Sequence, residues 1–185
     1  SVAVDASQNI FVAGFQTHHG NCIGTEWRVA KYDSSGNELW AGSYGNQEYP
    51  YEETRGIAVG LDGSAYVIGN ADFNGTYNLF DWRIIRYSPV GAVISTITYN
   101  SIDSGAVGGT DFGLGIAVDG NGRIAAAGYE HMWDYVSKSD WRIHVYQQPG
   151  VCFSCAFIGI PEPAFVGMKF PLTLKVFNNG VVDAK

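Results

Sequence analysis

Short runs of apolar, β-branched and aromatic residues recur along this chain, and each run is bounded by Asp, Asn, Ser or Gly. This alternation is typical of β-strands that are joined by tight turns. No segment carries apolar residues at a 3.6-residue period over the length that a sizeable helix requires. The pattern therefore predicts an all-β protein.

The apolar runs form a threefold repeat with fixed internal spacing. The step from valine to glycine is always 10 residues, in the pairs Val4 and Gly14, Val59 and Gly69, and Val118 and Gly128. A tryptophan then follows each glycine after 13 residues, at Trp27, Trp82 and Trp141. Fixed offsets of this kind indicate tandem structural units.

Each unit is expected to contain four strands, which in the middle copy are residues 57–59, 65–69, 82–87 and 93–99. Tandem four-stranded units are typical of β-propeller blades, and a closed propeller has about four to eight of them. We therefore predict three tandem four-stranded propeller-like blades, an incomplete propeller, over residues 1–158.

An acidic residue, a tryptophan and an arginine stand together in every unit, as Glu26-Trp27-Arg28, Asp81-Trp82-Arg83 and Asp140-Trp141-Arg142. We expect the three tryptophans to occupy equivalent, largely buried positions in the blade cores. Packing residues must recur once per blade whereas catalytic residues rarely do, so the arginines are interpreted as structural ion pairs and not as a ligand-binding ring. Glu52 and Asp111 each precede a repeat valine by seven residues, and are the expected partners in the adjacent blade.

Three sequence stretches carry a resemblance to a known family. Residues 2–14 read Val-Ala-Val-Asp-x-x-x-Asn-x-Phe-Val-Ala-Gly, residues 31–40 read Lys-Tyr-Asp-Ser-Ser-Gly-Asn-Glu-Leu-Trp, and residues 56–59 read Gly-Ile-Ala-Val. This pattern resembles the bacterial β-propeller repeat family often labelled SBBP, over residues 1–146. The resemblance implies the propeller fold and an extracellular location, secreted or at the cell surface. It implies no catalytic motif.

The repeat pattern ends after Tyr146. Residues 151–158 are predicted to supply the fourth strand of the third blade, and Pro161-Glu162-Pro163 is typical of a stiff linker. Residues 165–180 then alternate apolar and polar positions and end in a turn, and they resemble the start of an Ig-like, CARDB-type surface domain. We therefore predict a second region at 159–185, consisting of a linker and the first strands of an Ig-like β-sandwich.

The composition narrows the classes of partner. The net charge of −7 argues against nucleic acid and against anionic membranes, which both require a basic face. No apolar run approaches the ~18 residues that a membrane-spanning helix needs. We expect no cofactor, and we expect the partners to be other copies of the chain or the rest of a longer polypeptide, with glycans as a further possibility.

The three cysteines, Cys22, Cys152 and Cys155, are candidates for a structural disulfide in an exported protein. Two pairings stay open, either Cys152 with Cys155 or one of these with Cys22. The first requires a turn, because Cα atoms three residues apart in an extended segment lie about 10 Å from each other, beyond the disulfide limit of about 7 Å. Asn74 belongs to the only glycosylation sequon, in the link between the second and third strands of the middle unit.

Two classes of function are consistent with the sequence. The first is a non-enzymatic extracellular module for structure, adhesion or assembly. The alternative is a fragment of a secreted propeller enzyme of the lyase or glycosidase type, with its site in the links between second and third strands. That site would use residues chosen from the same links, namely His18, His19, His131, Asp72 and Asp134. A metal site at His18 and His19 is disfavoured, because adjacent residues of an extended chain point to opposite sides and the other units do not repeat the pair.

An incomplete propeller leaves apolar sheet faces exposed, so the sequence also predicts association. Two arrangements are open. Blades of one copy pack face to face against blades of another, or the tail strand, residues 170–177, inserts into a neighbour's sheet.

Overall fold

The structure is a computed structural model of the 185-residue chain. It describes residues 1–18, 24–45, 52–72, 80–99, 110–132, 138–147, 151–156 and 175–178. The regular elements in these ranges are all β-strands, which confirms the all-β fold class. No helix long and apolar enough to cross a membrane lies in this part of the chain.

Within these ranges, thirteen strands are arranged in three antiparallel sheets. The first sheet contains β1 Val2–Val4, β2 Ile10–His18, β3 Gly24–Tyr32 and β4 Glu38–Tyr44. The second contains β5 Glu53–Val59, β6 Ala65–Asp72, β7 Phe80–Tyr87 and β8 Val93–Tyr99. The third contains β9 Thr110–Val118, β10 Ile124–Met132, β11 Lys138–Gln147, β12 Val151–Ala156 and β13 Lys175–Asn178.

In every sheet each strand pairs with the strand that precedes it in the chain. The four-strand units of the repeat are therefore real meanders, and β12 supplies the fourth strand of the third unit as the sequence predicts. The short hairpin turns lie at one end of each sheet, which we call the turn end. The longer links lie at the other end, which we call the link end.

One turn geometry recurs five times at the turn end, at residues 5–9, 33–37, 60–64, 88–92 and 119–123. In each loop the first residue's N–H donates to the carbonyl of the fifth, and the fourth residue's N–H donates to the carbonyl of the first. The fourth residue has positive φ, and it is glycine in four loops and Gln8 in the other. Asp33 shows why an acid starts such a loop, since its Oδ1 accepts from the N–H groups of Ser35 and Asn37 at 2.9 and 2.8 Å.

Two of the three repeat glycines, Gly69 and Gly128, face a β-bulge in the first strand of their sheet. Opposite Gly69 the register shifts, so that Arg55 is an extra residue, and Leu114 is the extra residue next to the partner of Gly128. A methyl group at either glycine would collide with a backbone carbonyl of the bulged strand. Gly14 holds the same place in the first sheet. The first pair of β1 and β2 is Val2 with Val12, so β1 has no residue paired with Gly14, and nothing lies within 4 Å of its Cβ position.

The sheets pack face to face in chain order. Strand β5 contacts β1, β2 and β3 of the first sheet, and β9 contacts β5, β6 and β7 of the second. One buried core joins the first two sheets, and it contains residues such as Phe11, Trp27, Val67 and Tyr87. A second core joins the second and third sheets around Ile68, Trp82, Ile84 and Ala126.

The repeat tryptophans are buried in two sheets and exposed in the third. Trp27 is 0% exposed and Trp82 is 1% exposed, and each lies between its own sheet and the next one. Trp141 is 60% exposed, so the expectation of burial is wrong at this position. The reason is positional, because each tryptophan is covered by the following sheet and the described residues contain no sheet beyond the third.

The described part of the C-terminal segment is β13, which pairs antiparallel with β12 at the edge of the third sheet. Residues 175–178 thus pair within their own chain, and insertion of the tail strand, residues 170–177, into a neighbour's sheet stays a prediction. The chain boundary at 158 and the Ig-like interpretation of 159–185 stay predictions.

Candidate functional site

The residues proposed for an enzyme lie at the link end, in so far as the structure describes them. His18 ends β2, Asp72 ends β6 and His131 lies one residue before the end of β10. The strand order thus places one candidate at the link end of each sheet. His19 and Asp134 lie outside the described residues. Throughout the described ranges, no group of three or more His, Cys, Asp or Glu side chains is placed to hold a metal ion.

Two groups of described polar side chains lie between the sheets, near the link end. We call these two groups of residues the joints. The first joint connects the first and second sheets through Tyr44, Glu52 and Arg83. The second joint connects the second and third sheets through Tyr99, Asp111, Glu130, Arg142 and His144.

In the first joint, Arg83 of the second sheet and Glu52, which precedes that sheet's first strand, contact residues of the first sheet. Arg83 is 4% exposed, and its Nη1 donates to the Tyr44 hydroxyl at 2.5 Å, with the guanidinium 5.4 Å from the centre of the Tyr44 ring. Glu52 is also buried, and its backbone N–H donates to the Thr25 carbonyl at 3.3 Å. Its carboxylate lies beside Gly45, where a Cβ would come within 2.8 Å of Oε2.

The second joint has its tyrosine at the equivalent position one unit later, but with a different hydrogen-bond partner. Tyr99 stands in β8 where Tyr44 stands in β4, opposite the repeat tryptophan of its sheet. Its hydroxyl donates to Oε2 of the buried Glu130 at 3.0 Å, and Arg142 of the same sheet pairs with Oε1 of that carboxylate. A charge-assisted hydrogen bond of this kind offsets the cost of burying a carboxylate.

Burial, followed by the nearby charge of Glu130, raises the pKa of Tyr99 to about 12. The hydroxyl therefore stays protonated, and stays a donor, at any physiological pH. In both joints a tyrosine of one sheet contacts the next sheet. Tyr44 contacts Arg83 itself, whereas Tyr99 contacts Glu130, the carboxylate that pairs with Arg142.

His144 occupies the apolar side of the second joint. It is 7% exposed, and its ring lies edge-on to Trp82 at 5.1 Å and tilted against Tyr99 at 4.3 Å. Its Nε2 has no hydrogen-bond partner within the described part of the chain. Burial, and then the positive charge of Arg142, lower the pKa of His144, so the neutral ring is favoured.

The structural ion pairs are placed as follows. Arg142 pairs with Glu130, which lies on the neighbouring strand of its own sheet and not in the adjacent one. Arg83 reaches the adjacent sheet through Tyr44, and Arg28 is half-buried. Glu52 and Asp111 are buried, at 2% and 0% exposure. A pair between one of these arginines and a carboxylate of the next sheet stays a prediction.

The remaining predicted sites fall largely outside the described residues. Asn74 and Cys22 belong to links that are not described. Cys152 and Cys155 both lie within β12. Since that strand is extended, their Cα atoms are about 10 Å apart, and a disulfide between these two cysteines does not fit the strand. A pairing with Cys22 stays a prediction.

Sequence reasoning missed the tyrosines, Glu130 and His144. The tyrosines carry a signal that could have found them, because Tyr44 and Tyr99 are separated by the same 55 residues as Val4 and Val59. Glu130 and His144 carry none, because the other units hold a different residue type at these places. A scan against protein-family models matches no family to this chain, and a search of the curated proteins finds no similar one.

Proposed function

We propose that this chain is a non-enzymatic extracellular module for structure, adhesion or assembly, built from β-propeller blades. The observation that supports this proposal most is that the repeated residues make contacts between the sheets. Trp27, Trp82, Arg83 and the tyrosines of the joints pack one sheet on the next. A molecule that repeats its packing residues in this way is a rigid body for presenting or joining surfaces.

The propeller assignment is supported by the order of the contacts. Each sheet contains a four-strand meander, to which the third sheet adds β13, and the three sheets pack face to face in chain order. The first strands of successive sheets contact one another, as β1 does with β5 and β5 with β9. In a propeller the first strand of every blade lines the central axis, which brings these strands together.

The described chemistry supports a binding role over turnover. The buried acids, Glu52, Asp111 and Glu130, lie between sheets, where water and substrate have little access. The Glu130 carboxylate is engaged by the Tyr99 hydroxyl and by Arg142. We propose that the partners are other copies of the chain, the rest of a longer polypeptide, or glycans.

The test compares turnover with binding. The purified chain is incubated with a panel of neutral and uronate-containing polysaccharides, while reducing ends and unsaturated products are followed. The same polysaccharides and the chain itself are then immobilised, and binding is measured by interferometry. We expect binding without turnover. Turnover that is lost in His18→Ala, Asp72→Asn or His131→Ala, and kept in the turn-end control Asp62→Asn, would establish the enzyme instead.

A further inference from the structure

The outer edge of the second sheet is formed by β8, the fourth strand of its meander. The faces of this sheet are packed against the first and third sheets, and its first strand, β5, contacts β1 and β9. The edge of β8 is thus the side of the second sheet that the other two sheets leave accessible. Residues 93–96 and 98 are exposed there, with Val93 at 52% and Ile94 at 48%.

The sequence of β8 favours the addition of a further strand. It reads Val-Ile-Ser-Thr-Ile-Thr-Tyr, in which every residue but Ser95 is β-branched or aromatic and none is charged, glycine or proline. Proteins usually protect an accessible edge with charged residues or proline, because backbone groups on such an edge pair readily with another chain. The strand at the same place in the first sheet, β4, does carry a charge at Glu38 and is interrupted by Gly42.

The third sheet shows that the outer edge of a fourth strand accepts an antiparallel partner. There β12 holds the place of β8, and β13 pairs with it from Phe153 opposite Asn178 to Ala156 opposite Lys175. Within the described ranges, β8 is hydrogen-bonded to one strand, β7. The same kind of edge therefore carries a fifth strand in the third sheet and is accessible in the second.

We propose that the outer edge of β8 pairs antiparallel with β8 of a second copy of this chain. This inference rests on the proposed function, because it names the surface and the partner of the assembly module. An uncharged strand pairs with itself without repulsion between like charges. In a pairing centred on Thr96, Val93 lies opposite Tyr99 and Ile94 opposite Thr98, so apolar and β-branched side chains meet on both faces.

Pairing of β8 with itself is a two-fold contact, in which both copies use the same residues. Such a contact is complete with two copies, and therefore produces a dimer and not a filament. The second sheets of the two copies then form one continuous antiparallel sheet, with four strands from each copy. The first and third sheets keep their places on its faces.

The association is measured by sedimentation velocity over a dilution series. The wild-type chain is expected to be a dimer that dissociates on dilution. Thr96→Lys places two like charges close together across the two-fold axis, and should weaken the dimer at least about 10-fold. Ser34→Lys is the matched control, because it adds the same charge at an exposed position in a turn of the first sheet. It should sediment as the wild type does, and circular dichroism checks that each variant is folded.

A charge-reversed variant tests whether β8 meets β8. Thr96→Glu should weaken the dimer as Thr96→Lys does, but an equimolar mixture of the two variants brings a lysine close to a glutamate. The mixture should therefore associate at least about 10-fold more tightly than either variant alone. Any other occupant of the edge, such as the tail strand at residues 170–177, would leave the mixture as weak as the separate variants, and would overturn the pairing proposed for β8.

Amide hydrogen exchange locates the contact in the wild-type chain. Peptides that cover residues 93–99 should lose protection when the protein is diluted, whereas peptides that cover β4, residues 38–44, should not change. A wild-type chain that is monomeric at every concentration, or a dimer in which residues 93–99 exchange as they do in the monomer, would also overturn the proposal. Turnover is measured separately, so a monomer without turnover would contradict this inference and leave the non-enzymatic function in place.

Discussion

At the scale of single residues, burial of the repeat tryptophans depends on the neighbouring sheet and not on the sequence around them. Trp82 and Trp141 share the same acid-Trp-Arg context, yet the first is 1% and the second 60% exposed. The sequence predicts the equivalence of the two backbone positions. It does not predict their burial, because burial is decided by a surface that comes from another unit.

The two tryptophans give the first stability prediction. Trp82→Ala removes a buried indole from the core between the second and third sheets, and should lower the free energy of unfolding by about 3 to 5 kcal/mol. Trp141→Ala removes an exposed indole, and should lower it by less than about 1 kcal/mol in the monomer. Urea unfolding at high dilution measures both values. Equal losses in the two variants would contradict the packing described for Trp82.

The repeat glycines give a second prediction with an internal control. Gly69→Ala places a methyl group against the carbonyl of Glu53 in the bulged strand, and should destabilise the protein by about 1 to 3 kcal/mol, the usual cost of forced overpacking. Gly14→Ala changes the same repeat position where nothing lies within 4 Å, so it should be neutral or stabilise the strand slightly. Thermal unfolding of the two variants measures the difference in stability. If Gly69→Ala were as stable as Gly14→Ala, the bulged strand would have to move away from the new methyl group at little cost.

At the scale of strands and turns, the sequence predicts most of the architecture. Spacing and turn residues place all four strands of the middle unit, and the structure extends the first three by two to four residues, as in β5, which begins at Glu53 and not at Ile57. The extension of β5 includes Arg55, the bulge residue. A bulge breaks the alternation of apolar and polar positions, so the strand pattern stops before the strand does.

The hairpin turns give a prediction about acid stability. Hydrogen bonds from the Asn37 side chain and backbone lower the pKa of Asp33, and those from Arg123 lower the pKa of Asp119. A carboxylate whose folded pKa is depressed stabilises the fold fully above its unfolded pKa of about 3.9, and that contribution is lost as the pH falls through the folded value. Urea midpoints should therefore decline below about pH 4.

The isosteric variant Asp33→Asn isolates one turn. It cannot ionise, so the decline in its urea midpoint below about pH 4 should be smaller than that of the wild type. The exposed control Glu38→Gln, just after the same turn, should keep the wild-type slope. An Asp33→Asn profile parallel to the wild type over this range would show that the turn carboxylate does not contribute to acid stability.

At the scale of the whole molecule, the contacts between sheets are harder to predict than the sheets themselves. The repeat gives equivalent positions, but units fill some of them differently. Residue 144 of the third sheet corresponds to Ile85 of the second and to Ala30 of the first. Ile85, Ala30 and His144 are all buried, and of the three only His144 can be protonated. The repeat therefore predicts an apolar residue at position 144, and does not predict the titratable histidine that the third sheet has at that position.

We expect His144 to make the contact between the second and third sheets sensitive to pH. Arg142 opposes its protonation, Glu130 favours it, and the rings of Trp82 and Tyr99 fill the remaining space. Because burial lowers its folded pKa, the unfolded chain takes up the proton first as the pH falls below the ordinary value of 6.5. Stability contributed by the neutral ring is thus complete above pH 6.5, and is lost as the pH falls from there toward the folded pKa.

The variant His144→Ile tests this account, because it installs the residue that the second sheet uses at the same place. The wild type should lose stability between pH 7 and pH 5 in urea unfolding, before the turn carboxylates begin to titrate at about pH 4. His144→Ile should lose less over that interval. His18→Gln, which changes a histidine at the link end of the first sheet, is the matched control and should keep the wild-type slope. If His144→Ile kept that slope as well, the loss would have to come from groups outside the second joint, and the buried histidine would not govern the contact between the sheets.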